Sequence, residues 1–199
     1  MINNALREVI YISWPTLVIV LSIVIILRLA YISRSEKKFI LYEEIIDLLF
    51  IAYILVLFQL VTSQDIGGGG TNLMPFREIL RYDIGSASFY RQVLGNMLLF
   101  VPFGYFTARY CRIKGLGGIT LITLLCSVII ESVQHFIGRS FDIDDIILNV
   151  LGGIVGFIVY IFLKAVGKRL PEFMRNKWIK NFFSVAVLLL LGLYIYKLF

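Results

Sequence analysis

The chain has 199 residues, of which 59% are hydrophobic and 16% charged, with a mean hydropathy of +0.89. That balance excludes an ordinary soluble domain of this length, and spans of about 20 residues each leave no room for a separate soluble part. The formal charge of +6 does not point to nucleic acid, because Lys and Arg fall between apolar runs instead of along one face.

In chain order the apolar runs cover roughly residues 9–29, 45–62, 89–108, 116–137, 146–163 and 182–196. Their lengths predict an all-α, polytopic membrane helical bundle of about six transmembrane helices, forming a single membrane domain over residues 1–199. The first run is too long for a signal-peptide core and has no small-residue cleavage site after it, so it is expected to stay attached as an anchor. Most of the 19 basic residues follow runs one, three and five: Arg28, Arg34, Lys37 and Lys38, then Arg109, Arg112 and Lys114, then the KRLPEFMRNKWIK stretch. By the positive-inside rule these loops are cytoplasmic, which places both termini and the loops after runs two and four outside. The KRLPEFMRNKWIK stretch reads as an interfacial segment attracted to anionic inner-leaflet lipid.

The long outer loop begins with Gly67 to Gly70, a flexible hinge or tight backbone turn. It continues as TNLMPFREILRYD, where Phe76, Ile79 and Leu80 share a helical face and Arg77 and Arg81 another, as expected of an amphipathic turn at the membrane surface. Pro102 is expected to kink the third span. Gly152, Gly153 and Gly156 form a small-residue stripe for close helix approach, with Gly95 and Gly104 as candidate partners. Cys111 lies in a basic loop and Cys126 within a span, which argues against a disulfide between them.

Ionisable chemistry concentrates in ESVQHFIGRSFDIDDIILN, Glu131 to Asn149. Such groups are expensive near hydrocarbon and sit there because they pair, bind or react. Glu131, Gln134 and His135 at i, i+3 and i+4 project on one helix face. Glu131, Asp142 and Asp145 are candidate acid/base groups, while Asn96, Gln134, Arg139, Asn149 and Arg77 are candidate ligand-binding groups. Asp145 and Asn149, four apart, are positioned to reach one ligand. One Asp is explained as a helix N-cap; three are not. The oxygen-rich set favours a divalent cation such as Mg over zinc, and no other cofactor is indicated. The helix N-termini and arginines on this side suit an anionic head group.

These residues resemble the VanZ-like family of bacterial membrane proteins, named for a protein associated with teicoplanin resistance. The matching segments are Asn72 to Phe76, Gly95 to Gly104, and Glu131 with Gln134, Gly138, Arg139, Asp142 to Asp145, Asn149 and Gly152 through Gly156. Together they span about residues 72–160. The resemblance implies a multi-pass protein of the bacterial cytoplasmic membrane linked to glycopeptide tolerance. It leaves three mechanisms open: binding or altering a membrane lipid, cell-wall precursor or anionic lipid head group at the outer face; an extracytoplasmic acid/base transferase or hydrolase; and a lipid or solute transporter.

Overall fold

The computed structural model describes residues 16–31, 40–62 and 70–198. Residues 9–15 of the first apolar run, Arg34, Lys37 and Lys38 of the first basic loop, and Gly67 to Gly69 lie outside these residues. The helices are α1 (Thr16–Tyr31), α2 (Leu41–Thr62), the single turn α3 (Ala87–Phe89), α4 (Gly95–Tyr110), α5 (Leu116–Phe136), α6 (Ile143–Arg169), the short α7 (Glu172–Arg175) and α8 (Lys177–Leu198). The architecture is all-α, as the sequence predicts. Among the described residues, four helices are long and apolar enough to cross a membrane: α2, α5, α6 and α8. Of the two other expected spans, one is shorter among the described residues. The described part of α1 is an apolar helix below spanning length. The third run is helical without a break from Ala87 to Tyr110, as α3, a π turn at Tyr90–Leu94 and the 16-residue α4, which contains Pro102.

The chain forms two compact units, one comprising residues 1–60 and 169–199 and the other residues 61–168. In the first unit, Arg28 grips both oxygens of Glu44 at 2.7 and 2.9 Å, tying α1 to α2. Asn181 Oδ1 of α8 accepts the Tyr42 backbone N–H near the start of α2 at 3.0 Å, supplying a partner to an amide that the helix itself leaves unpaired.

The second unit is built around a polarity pattern opposite to that of a soluble protein. The buried residues of α5 are Ile119, Thr123, Ser127, Glu131 and Gln134, a stripe at spacings of four, four, four and three. Leu121, Leu125, Ile129, Val133 and Phe136 face outward on the same helix. Water would reject that arrangement, whereas lipid selects it, because polar side chains find partners only inside the bundle.

Glycines make the interior close. A Cβ on Gly152 would overlap the Met97 carbonyl, one on Gly156 the Val101 carbonyl, and one on Gly104 the backbone of Gly153. A Cβ on Gly153 would also strike Thr123 of α5. Backbone contact between α4 and α6 therefore requires the absence of side chains at these points. Gly95 does not belong to this seam: the nearest atom to a Cβ there is Tyr90 O at 3.7 Å, within its own helical segment. At the far end of the unit, Ala108, Ile119 and Phe157 form a small apolar core, with Ile113 and Tyr160 packed beside it.

One sheet-like contact orders the opposite end. Strand β1 (Thr71–Asn72) pairs in parallel with β2 (Phe141–Asp142), with Thr71 opposite Phe141 and Asn72 opposite Asp142. Phe141 N also donates to Gly70 O at 3.0 Å. Since β2 lies between the last turn of α5 and the first turn of α6, this bridge brings the long loop to that end of the helices. The expected amphipathic turn within the loop is a short 3-10 helix, Ile79–Arg81.

Candidate functional site

The three aspartates around the start of α6 have separate partners. Asp142 Oδ1 accepts the Asp144 N–H at 2.9 Å, the side-chain cap expected at a helix start. The same oxygen accepts Asn72 Nδ2 at 2.9 Å, so the cap is also tied to β1. Asp144 turns the other way. Its carboxylate accepts three backbone N–H groups from the long loop: Phe76 at Oδ1, and Glu78 at 2.7 Å and Ile79 at 3.2 Å at Oδ2. Phe76 has φ +66°, in the left-handed region that a bulky residue occupies only when its surroundings hold it there. Asp144, only 1% exposed, supplies that hold. Asp145 Oδ1 accepts Asn96 Nδ2, linking α6 to the first turn of α4.

Glu131, 2% exposed, lies beneath this layer. Its Oε2 accepts the Asp142 N–H at 3.2 Å. With the Gln134 amide turned so that each end meets a complementary group, Nε2 donates to Glu131 Oε1 at 3.0 Å and Oε1 accepts Arg139 Nη1 at 2.9 Å. Arg139 N also donates to Gln134 O at 2.9 Å, which winds the chain back over the end of α5. Arg139 therefore reaches Glu131 through an amide, without direct contact. One turn deeper, Asn149 Nδ2 donates to Ser127 Oγ at 2.9 Å, a buried bond between α6 and α5.

Above these bonds is an open cavity of about 360 Å³. Asp142 and Asp145 line it from the start of α6, Arg139 and Ser140 from the α5–α6 loop, and Glu78, Arg81 and Tyr82 from the long loop. Gln92 and Val93 enter from the π turn. A π turn changes the direction of side chains relative to a regular helix, and here it supplies the cavity wall just ahead of Asn96.

Burial holds the Asp142 carboxyl above the usual aspartate range. Hydrogen bonds from Asp144 N and Asn72 pull it down, while the charges of Asp144 and Glu78 push it up.

Seven of the eight sequence-derived candidates thus divide into two groups, with Arg77 outside both. Asp142, Asp145 and Arg139 line the cavity. Glu131, Gln134, Asn96 and Asn149 form the bonded layer that holds those residues, without lining it. Asp145 and Asn149 share a helix face yet bond to different helices, α4 and α5. Arg77 is exposed and absent from the cavity wall, where the guanidinium contributed by the long loop is that of Arg81. His135, also exposed, sets its ring at right angles to Phe141, with centroids 6.5 Å apart.

The sequence marks Arg81 only as one of the arginines on this side suited to an anionic head group, and nothing in it marks Tyr82 or Gln92 as site residues. The i, i+4 pairing of Arg77 with Arg81 was the available signal for the first; nothing in the sequence marks the π turn that presents Gln92. Among the described residues, no three or more His, Cys, Asp and Glu side chains are arranged to hold a metal ion.

Apolar helices with a polar interior, closed at one end by a bonded layer beneath an open cavity, define a helical membrane protein. The chain belongs to the VanZ-like family: the family model described as VanZ/LLP1 matches residues 44–164, more than half of its length. That membership links it to membrane proteins associated with glycopeptide resistance. No curated protein and no solved structure matches the chain.

Proposed function

We propose that the cavity faces the outside of the cytoplasmic membrane and binds the polar head group of a membrane lipid or lipid-linked cell-wall precursor. Through that binding the protein contributes to tolerance of teicoplanin-type glycopeptides, by altering how the bound component is displayed. The observation that carries this reading is the cavity of about 360 Å³, lined both by carboxylates around the start of α6 and by Arg81 and Arg139 from two loops, with Arg81 paired to Glu78 at 3.2 Å. Its size falls within the range of small-ligand sites. Opposed charges on a braced frame favour a ligand with both phosphate or carboxylate acceptors and hydroxyl or amine donors. The excess of Lys and Arg on the alternate loops supports the outward orientation, with both termini outside.

A second reading, an acid/base transferase or hydrolase acting on the same head group, is favoured by Asp145. Its carboxylate is oriented by Asn96 while it lines the cavity. Under this reading Glu131 is a positioning residue, because it lies below the cavity floor and acts through Asp142 N and Gln134.

Quantitative mass spectrometry of envelope lipids and wall precursors separates the readings. Cells expressing the native chain, Asp145→Asn or Arg139→Gln are compared at matched membrane abundance. Binding predicts identical pools and a lipid that co-purifies with the native protein but is lost with Arg139→Gln. Catalysis predicts a species made or consumed only with the native chain. Identical pools with nothing co-purifying refute both.

A further inference from the structure

Between Leu73 and Ile84 the long loop exposes five large apolar side chains: Leu73, Met74, Phe76, Leu80 and Ile84, with Leu80 81% and Ile84 90% exposed. The backbone carrying them is not loose. Asp144 holds it at Phe76, Glu78 and Ile79, and the Leu80 N–H donates to Phe76 O at 3.0 Å. The protein thus fixes in place a patch that water would disfavour.

Two observations identify the occupant. The β1–β2 bridge places this loop at the end of the bundle where α5 finishes, and there Phe136, in the last turn of α5, is itself 88% exposed. The patch therefore continues, at the boundary level, a helix surface that already faces lipid. Its polar companions are exposed Arg77, Arg81 and Tyr90, the side-chain types that settle at head-group depth.

We infer that residues 73–84 form a wedge inserted in the lipid interface of the outer leaflet, opening the cavity sideways to the head-group layer so that its ligand is a membrane amphiphile delivered from within the leaflet. The ligand class rests on the head-group reading above; the insertion of the wedge does not. One segment serves both ends of the route. Leu80 and Ile84 face outward, while Glu78, Ile79, Arg81 and Tyr82, interleaved with them, line the cavity. Apolar side chains on such a segment sink about 5–10 Å into the boundary between head groups and acyl chains. A head group at that depth meets Arg81 without leaving the membrane.

The test uses the full chain in phosphatidylcholine–phosphatidylglycerol nanodiscs, with Cys111→Ser and Cys126→Ser as background. Spin labels are placed singly through Leu80→Cys, Ile84→Cys and Asp83→Cys. Labels at positions 80 and 84 are expected to be relaxed more by oxygen than by a water-soluble nickel chelate, with the order reversed at position 83. Nickel dominance at both 80 and 84 overturns the wedge.

Lateral access is read with Ser140→Cys at the cavity wall. A maleimide carried on phosphatidylethanolamine in the same bilayer should label it, and adding Leu80→Asp with Ile84→Asp should slow that labelling several-fold. Labelling by a soluble maleimide should remain unchanged. Reaction with the soluble reagent alone overturns lateral delivery. Because these readouts involve no natural ligand, they stand or fall separately from the lipid pools that test the head-group reading.

Discussion

Replacing Asp144 with Asn tests whether one buried carboxylate holds the cavity's outer wall. Oδ2 accepts Glu78 N at 2.7 Å and Ile79 N at 3.2 Å, while Oδ1 accepts Phe76 N. An amide has a single acceptor oxygen. Whichever way it turns, its NH₂ group faces at least one backbone N–H, and one or two bonds are lost. Hydrogen bonds to a charged acceptor contribute about 1.5–3 kcal/mol each. Relief of repulsion with Asp142 offsets part of that, leaving a net loss of about 1–4 kcal/mol in the free energy of opening the loop. At about 1.4 kcal/mol per tenfold, the amides of Phe76, Glu78 and Ile79 should exchange hydrogen roughly 5- to 700-fold faster. Hydrogen exchange by mass spectrometry on the reconstituted full chain reads this, with α4 residues 101–108 as an internal reference expected to stay unchanged. Native exchange at 76–79 would refute the reasoning. Uniform acceleration that includes α4 would show Asp144 acting on the whole fold instead of the loop.

Gly104→Ala should destabilise the protein by about 1–3 kcal/mol, since its methyl would overlap the Gly153 backbone and neither helix can yield cheaply, whereas Gly117→Ala, with open space around it, should leave the thermal transition unchanged. Ser127→Ala strands Asn149 Nδ2 in a buried position and should cost about 1–3 kcal/mol; a double-mutant cycle with Asn149→Leu should recover much of that loss. Thr123→Val should be neutral or mildly stabilising in thermal melts, because the fully buried Thr123 Oγ1 has no hydrogen-bond partner to lose. For Asp142, folding favours the protonated form, so the associated penalty is absent below the ordinary aspartate pKa and grows as pH rises through the raised folded value. Asp142→Asn should flatten that part of the stability profile, read as the difference from the native chain across the acidic range.

Much of this arrangement is legible in the sequence because membrane physics gives strong local signals. Apolar runs mark α2, α5, α6 and α8, and the Gly152, Gly153 and Gly156 spacing marks the face that meets α4. The Glu131 to Asn149 stretch stands out because ionisable groups are costly there. Less legible is the phase of the third run, which is one helical stretch as its composition suggests but carries a π turn between α3 and α4. Hydropathy averages over a window and does not register a change of helical pitch. Gly95 illustrates the same loss of phase: its spacing from Gly104 suggests a shared seam, but it lies directly after the π turn and meets only Tyr90.

The division of labour among the acids was beyond the sequence for a different reason. Asp142, Asp144 and Asp145 lie within four positions, yet they bond respectively to β1, the long loop and α4. Local backbone geometry determines the direction in which Asp142 leaves β2 and the other two leave α6, but each partner depends on chain far away in sequence. All three border the cavity, but Asp144, 1% exposed, is taken up by three backbone N–H groups, whereas Asp142 and Asp145 each keep an oxygen outside these bonds. The rigid layer beneath, Glu131 with Gln134 and Asn149 with Ser127, makes that exposure consequential. A carboxylate free to rotate would swing toward water or the nearest arginine. Held by Asn72 and Asn96, these two present fixed oxygens to a cavity that Arg81 and Arg139 also line, so under the head-group reading proposed above the complementarity is set by the fold before any ligand arrives.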